Sequence, residues 1–202
     1  MMQNFAKIVL GMMAIGCAIV VFFGLVWMGT YNTHAQNGQA VEKAWADVGS
    51  DMKRRADLIP NLVKTVKGYA DHEKETFAAV TEARSKMGQI KVGDALKDPA
   101  AMKALMGASG ELSSALSRLM VVAEAYPELK ANKGFLDLQS QLEGTENRIN
   151  ITRKRYNEAV QKKNDAIVTM WGGLVAGVHG FEKANYFEAT EADLVNPEVS
   201  FE

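Results

Sequence analysis

Residues 8–29, IVLGMMAIGCAIVVFFGLVWMG, form an uninterrupted run without a charged side chain. At about 1.5 Å per residue, a helix of this length covers roughly the 30 Å hydrocarbon core of a lipid bilayer. The next charged residue is Glu42, and the chain is rich in charge from there on. The sequence therefore predicts a short tail at residues 1–7, a single membrane-spanning helix at residues 8–29, and a body outside the membrane.

Two other interpretations of this run explain it less well. A cleaved signal peptide has an apolar core of about 7 to 15 residues and ends in small residues, whereas this run is longer and lacks such an end. Cys17, the single cysteine, could carry a lipid, but ten apolar residues would then remain behind the lipid without a purpose. We therefore expect Cys17 to be an ordinary membrane-embedded residue.

The orientation in the membrane follows from the basic residues within about 15 to 20 residues of each end of the span. Lys7 and the terminal amine lie on the N-terminal side, and Lys43 lies on the other side. This favours a cytoplasmic N-terminus and an extracytoplasmic body. The basic residues at 53–55 lie just past that distance and would argue for the opposite orientation if counted.

The charge of the body excludes one class of partner. Residues 31–202 hold 22 Lys and Arg against 24 Asp and Glu, which is a net charge of about −2. Such a body has no bulk attraction to nucleic acid or to anionic lipid. We expect no nucleic-acid partner.

Apolar residues recur along the body at alternating spacings of three and four, which is the heptad pattern of helices that pack side by side as in a coiled coil. The first series runs from Val41 to Met87, the second from Met102 to Tyr126, and the third from Phe135 to Phe181. No stretch of comparable length alternates with the period of two that is typical of strands. The pattern predicts an all-α body.

Turn-forming residues separate the three series. Pro99 and Pro127 each suit the first position of a helix, and the residue before each proline is disfavoured in helical geometry. Connections this short place neighbouring helices antiparallel. We expect an elongated antiparallel up-and-down bundle of three long helices at residues 30–188, with or without a short fourth helix. The bundle is expected either to stack on the membrane helix or to be joined to it by a hinge near Gly29.

Pro60 lies inside the first series, whose heptad phase continues across it. Although an interior proline costs a helix about 3 kcal/mol, the continuous phase predicts one helical path with a kink. Asp57 could cap a helix that begins at this proline or could simply face solvent.

Several blocks around this proline and further along the chain resemble the LemA family, and their order is more specific than any one of them. The blocks are Lys53–Val63, Val66–Ala70, His72-Glu73, Glu124–Ala131, Glu146-Asn147 and Arg153–Asn157. The resemblance implies a membrane-anchored antiparallel helical bundle in the inner (cytoplasmic) membrane of a bacterium, with no established enzymatic activity. Some members of the family are tied to building magnetosome membranes, but that role belongs to a specialised branch.

One departure from the family pattern affects the end of the bundle. Relatives commonly have a Phe-Pro step after the Tyr-Asn block, and this chain has Met170-Trp171 instead. Without the proline, the third helix can run on toward Phe181 without a break. The sequence therefore does not decide whether a separate short fourth helix forms.

Polar residues on or beside the series form the candidate site. Two interpretations are open, namely an internal binding site and a structural role in which buried Arg–Glu and Asn contacts set helix register. We favour the structural role. These residues are Arg55, Glu73, Arg84, Glu146, Arg153, Asn157 and Asn164.

The sequence offers little support for catalysis. His34, His72 and His179 lie in separate segments and form no HExxH pair, and there is no phosphate-binding glycine loop and no nucleophile elbow. We expect a protein that is not an enzyme, with no catalytic residue, no metal site and no cofactor.

Residues 166–181 are sixteen consecutive uncharged residues, too few to span a bilayer. They could pack inside the bundle, dip into a membrane face, or dock on a second copy of the chain through Trp171, Gly173 and Gly177, because small residues let helices approach closely. An acidic tail at residues 189–202, expected to be loose, follows.

Two functions fit these features. The first is a non-catalytic scaffold that forms homo-oligomers and organises a membrane region or a membrane protein complex. The second is a monomeric adaptor or sensor that binds a peptide or another membrane protein along the bundle. An exposed apolar groove would favour the adaptor, whereas an apolar surface that only a second copy can cover would favour the scaffold.

Overall fold

The computed structural model describes residues 2–187, and the predicted acidic tail at 189–202 lies outside them. The described part of the chain contains helices and connecting segments, with no strand, so the all-α prediction is confirmed. The helices are α1 (Met2–Lys67), α2 (Lys74–Gln89), α3 (Val92–Ala95), α4 (Pro99–Glu124), α5 (Pro127–Lys130), α6 (Lys133–Val168) and α7 (Met170–His179).

Helix α1 is 66 residues long and contains the whole predicted membrane span. It continues through Gly29, where a hinge had been considered, and through Pro60. No residue in its most apolar stretch is buried, and the helix is long and apolar enough to cross a membrane by length and composition. Asp57 lies inside the helix and pairs with Lys53 at 2.9 Å on its exposed side, so it faces solvent and is not a cap.

The described chain divides into two compact units. The first unit comprises the chain up to Val41 together with Ala159–Lys183. The second comprises Glu42–Glu158 together with residues 184–187. The predicted domain boundaries at residues 29 and 188 stay predictions.

The second unit is a bundle of the later part of α1 with α2, α4 and most of α6. Successive contacts along α1 meet α6 in reverse order, with Asp51 at 3.8 Å from Arg148 and Arg55 at 2.7 Å from Glu146, so these two helices run antiparallel. Heptad positions from all four helices form the core. Its fully buried members include Val48, Ile59, Leu62, Val66, Val80, Leu105, Leu112, Leu119, Ile149 and Tyr156.

The prediction of one helical path from Val41 to Met87 is wrong. Helix α1 ends at Lys67, and a turn over residues 68–73 leads into α2. The backbone N–H groups of Tyr69 and Ala70 both donate to the Val66 carbonyl oxygen at 3.0 Å, which closes the end of the helix. The turn keeps the heptad phase because both flanking helices bury their apolar faces in the same core, so the pattern alone did not reveal it.

Pro60 and Arg84 are linked through the backbone of α1. A proline has no N–H, so Pro60 leaves the carbonyl oxygen of Ala56, four residues earlier, without its usual helical donor. The Arg84 Nε atom of α2 donates to this oxygen at 2.9 Å. The carbonyl oxygen that Pro60 leaves free in α1 is therefore hydrogen-bonded by α2, the next helix along the chain.

The first unit is built from the part of α1 up to Val41, the last part of α6, and α7. Helix α6 ends at Val168, so the expectation that the third helix could run on to Phe181 is wrong and the short fourth helix is present as α7. Thr169 caps α7, since its hydroxyl oxygen accepts a hydrogen bond from the Gly172 N–H at 3.0 Å. Because the helix breaks here, Leu174, which the third series placed in the core, is 54% exposed.

We expect Pro60→Ala and Arg84→Met to be coupled energetically. Arg84→Met alone removes the donor to the Ala56 oxygen and should lower the free energy of unfolding by roughly 1 kcal/mol. In the Pro60→Ala background the restored N–H of residue 60 supplies that donor, so the loss should shrink by about 0.5 kcal/mol or more. Chemical unfolding followed by circular dichroism in detergent measures the cycle.

Arg54→Met is the matched control for Arg84→Met, because Arg54 is an exposed arginine on α1, two residues before Ala56. The effects of Arg54→Met and Pro60→Ala on the free energy of unfolding should add. Additivity between Pro60→Ala and Arg84→Met would contradict the linkage.

Candidate functional site

Arg55 is the central residue of a polar cluster in the second unit. Its guanidinium is buried on α1, where Nη1 lies 2.7 Å from Glu146 Oε2 of α6 and Nη2 donates to Ser113 Oγ of α4 at 3.0 Å. Burial lowers the pKa of Arg55, the Glu146 carboxylate raises it, and the nearby Arg153 lowers it. An arginine in this setting stays protonated, so the site holds a buried cation with one carboxylate partner.

Arg153 extends the cluster toward the end of the described chain. Its Nη2 lies 3.3 Å from Ser109 Oγ, and its guanidinium carbon lies 4.5 Å from the centre of the Phe187 ring. A cation over an aromatic face is attracted by the ring quadrupole. The cluster therefore contacts four separate stretches of the chain.

Asn157 and Tyr156 fix the segment that carries Phe187. Asn157 Nδ2 donates to the Phe187 carbonyl oxygen and its Oδ1 accepts from the Phe187 N–H, both at 2.8 Å. The Tyr156 hydroxyl donates to the Asn185 carbonyl oxygen at 2.8 Å, and burial raises the pKa of Tyr156 to about 12. These bonds hold an extended segment against α6 without help from secondary structure.

The structure brings together four of the predicted polar residues, namely Arg55, Glu146, Arg153 and Asn157. Arg84 lies apart, on the Ala56 carbonyl of α1. Glu73 is outside the helices: it precedes α2, is half-buried, and makes no capping hydrogen bond to that helix. Its predicted place on a helical seam is explained by the turn that the heptad pattern concealed.

The polar side chains of this cluster contact one another across three helices. The Ser113 hydroxyl donates to the Ser109 carbonyl oxygen at 3.0 Å and accepts from Arg55, so it is engaged on both sides. Within residues 2–187, no three His, Cys, Asp or Glu residues gather where a metal ion could bind. Arg55 and Glu146 pair across α1 and α6, and Arg55 and Arg153 each contact a serine of α4.

Helix α7 has one buried face and one outward face. Its buried residues are Gly172, Val175 and Ala176. The outward face has two parts, which we name the α7 ridge, formed by Met170, Leu174 and Val178, and the glycine edge, formed by Gly173 and Gly177. Nothing lies within 4 Å of the position that a Cβ on Gly177 would take.

Aromatic side chains attach α7 to α1. The Trp171 ring lies 5.5 Å from that of Phe23, and the His179 ring lies 6.0 Å from that of Trp27 and 4.9 Å from that of Tyr31. These contacts place α7 beside the C-terminal end of the apolar run.

His34 completes this attachment and was missed as a site residue. It is buried on α1, its Nε2 donates to the Gly172 carbonyl oxygen at 3.0 Å, and its ring stacks on Phe181 at 5.2 Å. Trp27, Tyr31 and His34 are spaced as i, i+4 and i+7, so helical periodicity could have shown that they share one face. Phe187 was also missed, and no periodic signal marks it because it lies outside the helices.

A long apolar helix joined to an all-α body with an internal polar cluster defines a membrane-associated helical protein. The LemA family pattern matches residues 44–201, and the chain belongs to the LemA family. It is 28% identical to magnetosome protein MamQ 2 of Paramagnetospirillum magneticum, over 93% of this chain and 76% of that protein. It is 26% identical to protein LemA of Metamycoplasma hominis, over 88% of this chain and 78% of that protein.

We expect Glu146→Gln to lower the free energy of unfolding by about 1–3 kcal/mol, because the buried Arg55 guanidinium loses its carboxylate partner while the side-chain shape is kept. Thermal unfolding followed by circular dichroism measures the loss. Glu158→Gln on the exposed side of the same helix is the control and should change stability little. Equal effects of the two substitutions would show that Glu146 does not neutralise Arg55.

Two alanine substitutions in α7 should have opposite effects. A Cβ at Gly172 would overlap the Ala166 carbonyl oxygen and the Thr169 hydroxyl, so Gly172→Ala should destabilise the protein by about 1–3 kcal/mol. Gly177→Ala meets open space and should stabilise the helix by about 0.5–1 kcal/mol. Melting temperatures in detergent that shift in the same direction would contradict this account of the α6–α7 junction.

Proposed function

We propose that this protein is a membrane-anchored, non-catalytic scaffold that self-associates and organises a membrane region or a membrane protein complex. Helix α1 anchors it in the inner membrane of a bacterium, with the body on the extracytoplasmic side. The anchor is supported by the length and apolar character of α1 and by membership of the LemA family.

The outward surface of the first unit is the observation that carries this proposal. Large apolar side chains on α1 are exposed from Leu10 to Met28, and on the glycine edge of α7 both glycines are exposed and the space around Gly177 is open. Small residues on an apolar helix let a second helix approach closely, and van der Waals packing then favours association in lipid. We therefore assign Gly173 and Gly177, flanked by Trp171, to contacts between copies.

The polar cluster supports a non-catalytic role. Arg55 and Arg153 are engaged by Glu146, the two serines and the Phe187 ring, so their charges serve helix pairing. A scaffold needs a body that keeps its shape, and buried charge contacts between helices favour one register over others.

Two relatives are named as magnetosome proteins, MamQ 2 of Paramagnetospirillum magneticum and MamQ of Magnetospirillum gryphiswaldense. For this chain the proposal takes from them only an association with a membrane. The partner complex is defined by its position, as a membrane protein that meets the first unit beside the apolar run.

The test compares Gly177→Leu with Gly107→Leu in the full-length protein. Both glycines lie in helices, and no atom lies within 4 Å of the position that a Cβ would take on either one, so neither substitution should disturb the fold. We expect the wild type in mild detergent to form a defined multimer by light scattering. Gly177→Leu should reduce its mass toward the monomer because the bulkier side chain blocks close approach, whereas Gly107→Leu should keep the wild-type mass.

A monomeric wild type at micromolar concentration would overturn self-association. Equal masses for the wild type and Gly177→Leu would remove the glycine edge from the interface while leaving other contacts between copies open.

A cleft in the second unit favours a second candidate function, the monomeric adaptor or sensor. This half-open cleft has a volume of about 540 Å³ and lies between α1, α2 and the segment around Val92. Its lining combines apolar side chains with charged groups, as a peptide site requires. The lining includes Met52, Ala56, Arg84, Met87, Ile90 and Val92. A monomeric wild type would favour this candidate.

A further inference from the structure

Helix α7 lies beside the point where α1 leaves its apolar run. Phe23, which contacts Trp171, is six residues before the end of the run at Gly29, or about 9 Å along the helix axis. Trp27, which contacts His179, is about 3 Å from that end. If α1 crosses a bilayer with residues 8–29, α7 is at the depth of the boundary between acyl chains and headgroups.

The outward face of α7 has the composition of a surface that meets lipid. Met170 is 74% exposed and Val178 is 68% exposed, and no charged residue occurs between Asp165 and Glu182. A water-facing helix of this kind would carry polar or charged side chains on its outward face. The ridge is therefore unpartnered within its own unit.

The residues around the ridge are those that anchor proteins at a membrane surface. Trp and Tyr side chains favour the headgroup level because one part of the ring system is apolar and another is polar. Trp27, Tyr31 and Trp171 are all placed there by their ring contacts with α7 or with α1.

We propose that α7 is a second membrane contact, a short helix that lies in the lipid–water interface with its ridge among the acyl chains. Ten residues of helix are about 15 Å long, which is too short to span the bilayer, so α7 lies at one face of it. The occupant is lipid because α7 contacts Phe23 within the apolar run, so lipid that surrounds α1 at this depth also surrounds the ridge.

The two parts of the outward face favour this assignment over a second copy on the ridge. Large side chains such as Met170 and Leu174 keep neighbouring helices apart, whereas small residues at helix contacts bring them together. The large residues form the ridge and the small ones form the separate glycine edge. The inference rests on the membrane anchor of the proposed function and does not depend on self-association.

The experiment uses three valines of nearly equal exposure. Val20 lies in the apolar run and is 72% exposed, Val178 lies on the ridge and is 68% exposed, and Val121 lies on α4 and is 70% exposed. Each is replaced separately by cysteine (Val20→Cys, Val178→Cys, Val121→Cys) in the full-length Cys17→Ser protein and labelled with an environment-sensitive fluorophore. The proteins are inserted into phosphatidylcholine vesicles with and without brominated acyl chains.

We expect the bromines to quench the labels at positions 20 and 178, each by about half, and to leave the label at position 121 unchanged. Circular dichroism of the labelled proteins checks that each keeps its helical content. Val178 is 68% exposed, so its replacement removes little packing.

The remaining outcomes separate the alternatives. A label at position 178 with blue-shifted emission but no quenching, sensitive to the protein-to-lipid ratio, would assign the ridge to a second copy. An unquenched label at position 178 whose emission matches that of the fluorophore in water would show that the ridge lies in solvent. Equal quenching at positions 121 and 178 would show that α7 has no special contact with lipid. Each of these overturns the inference but leaves the anchor intact. An unquenched label at position 20 would overturn the anchor itself, and the inference with it.

Discussion

The buried guanidinium of Arg55 is the constraint on which the second unit depends. A cation removed from water is tolerated only where opposite charge and hydrogen-bond acceptors surround it. Glu146 of α6 and Ser113 of α4 supply both, so α1 must meet these two helices at one register. Sliding α6 by a turn would leave the charge unpaired, whereas apolar heptad contacts alone would tolerate such a slip far better.

Arginines also act at two of the places where the backbone departs from regular helix. Arg84 satisfies the Ala56 carbonyl that Pro60 leaves without a donor, and Arg153 holds the Phe187 ring of an extended segment. The planar guanidinium suits both tasks because it presents several fixed donors and can also stack on a ring. The polar residues of this protein thus act where periodic packing is interrupted, which fits a body built to keep its shape.

The first unit follows a different logic, in which exposed apolar surface is retained. Thr169 ends α6 and begins α7, and Gly172 allows the close approach that this junction needs. Gly180 then ends α7 with a positive φ of 72°, which a glycine adopts at no steric cost. The outcome is a short helix held against α1 by aromatic rings and His34, with its outer side free for a membrane or a partner.

The long apolar helix, the all-α class and most of the buried positions follow from the sequence alone, because these depend on local composition and on periodicity along the chain. Ser109, Leu112 and Leu119 lie in the core where the heptad spacing places them. Four of the polar residues on the seams meet in space for the same reason, since a polar residue on an apolar face has to find a partner there.

The places where the long patterns break became known from the folded chain. The heptad phase continues through the turn at residues 68–73, so the sequence pattern did not show that α1 and α2 are separate helices. For the same reason Glu73 was predicted to lie on a helix, whereas it lies in the turn. The break at Thr169 depends on a capping hydroxyl and on a close approach at Gly172, and Phe187 is held by side chains 30 or more residues away. Periodicity reports which face of a helix is apolar, whereas turns, caps and long-range contacts depend on what the folded chain brings to each point.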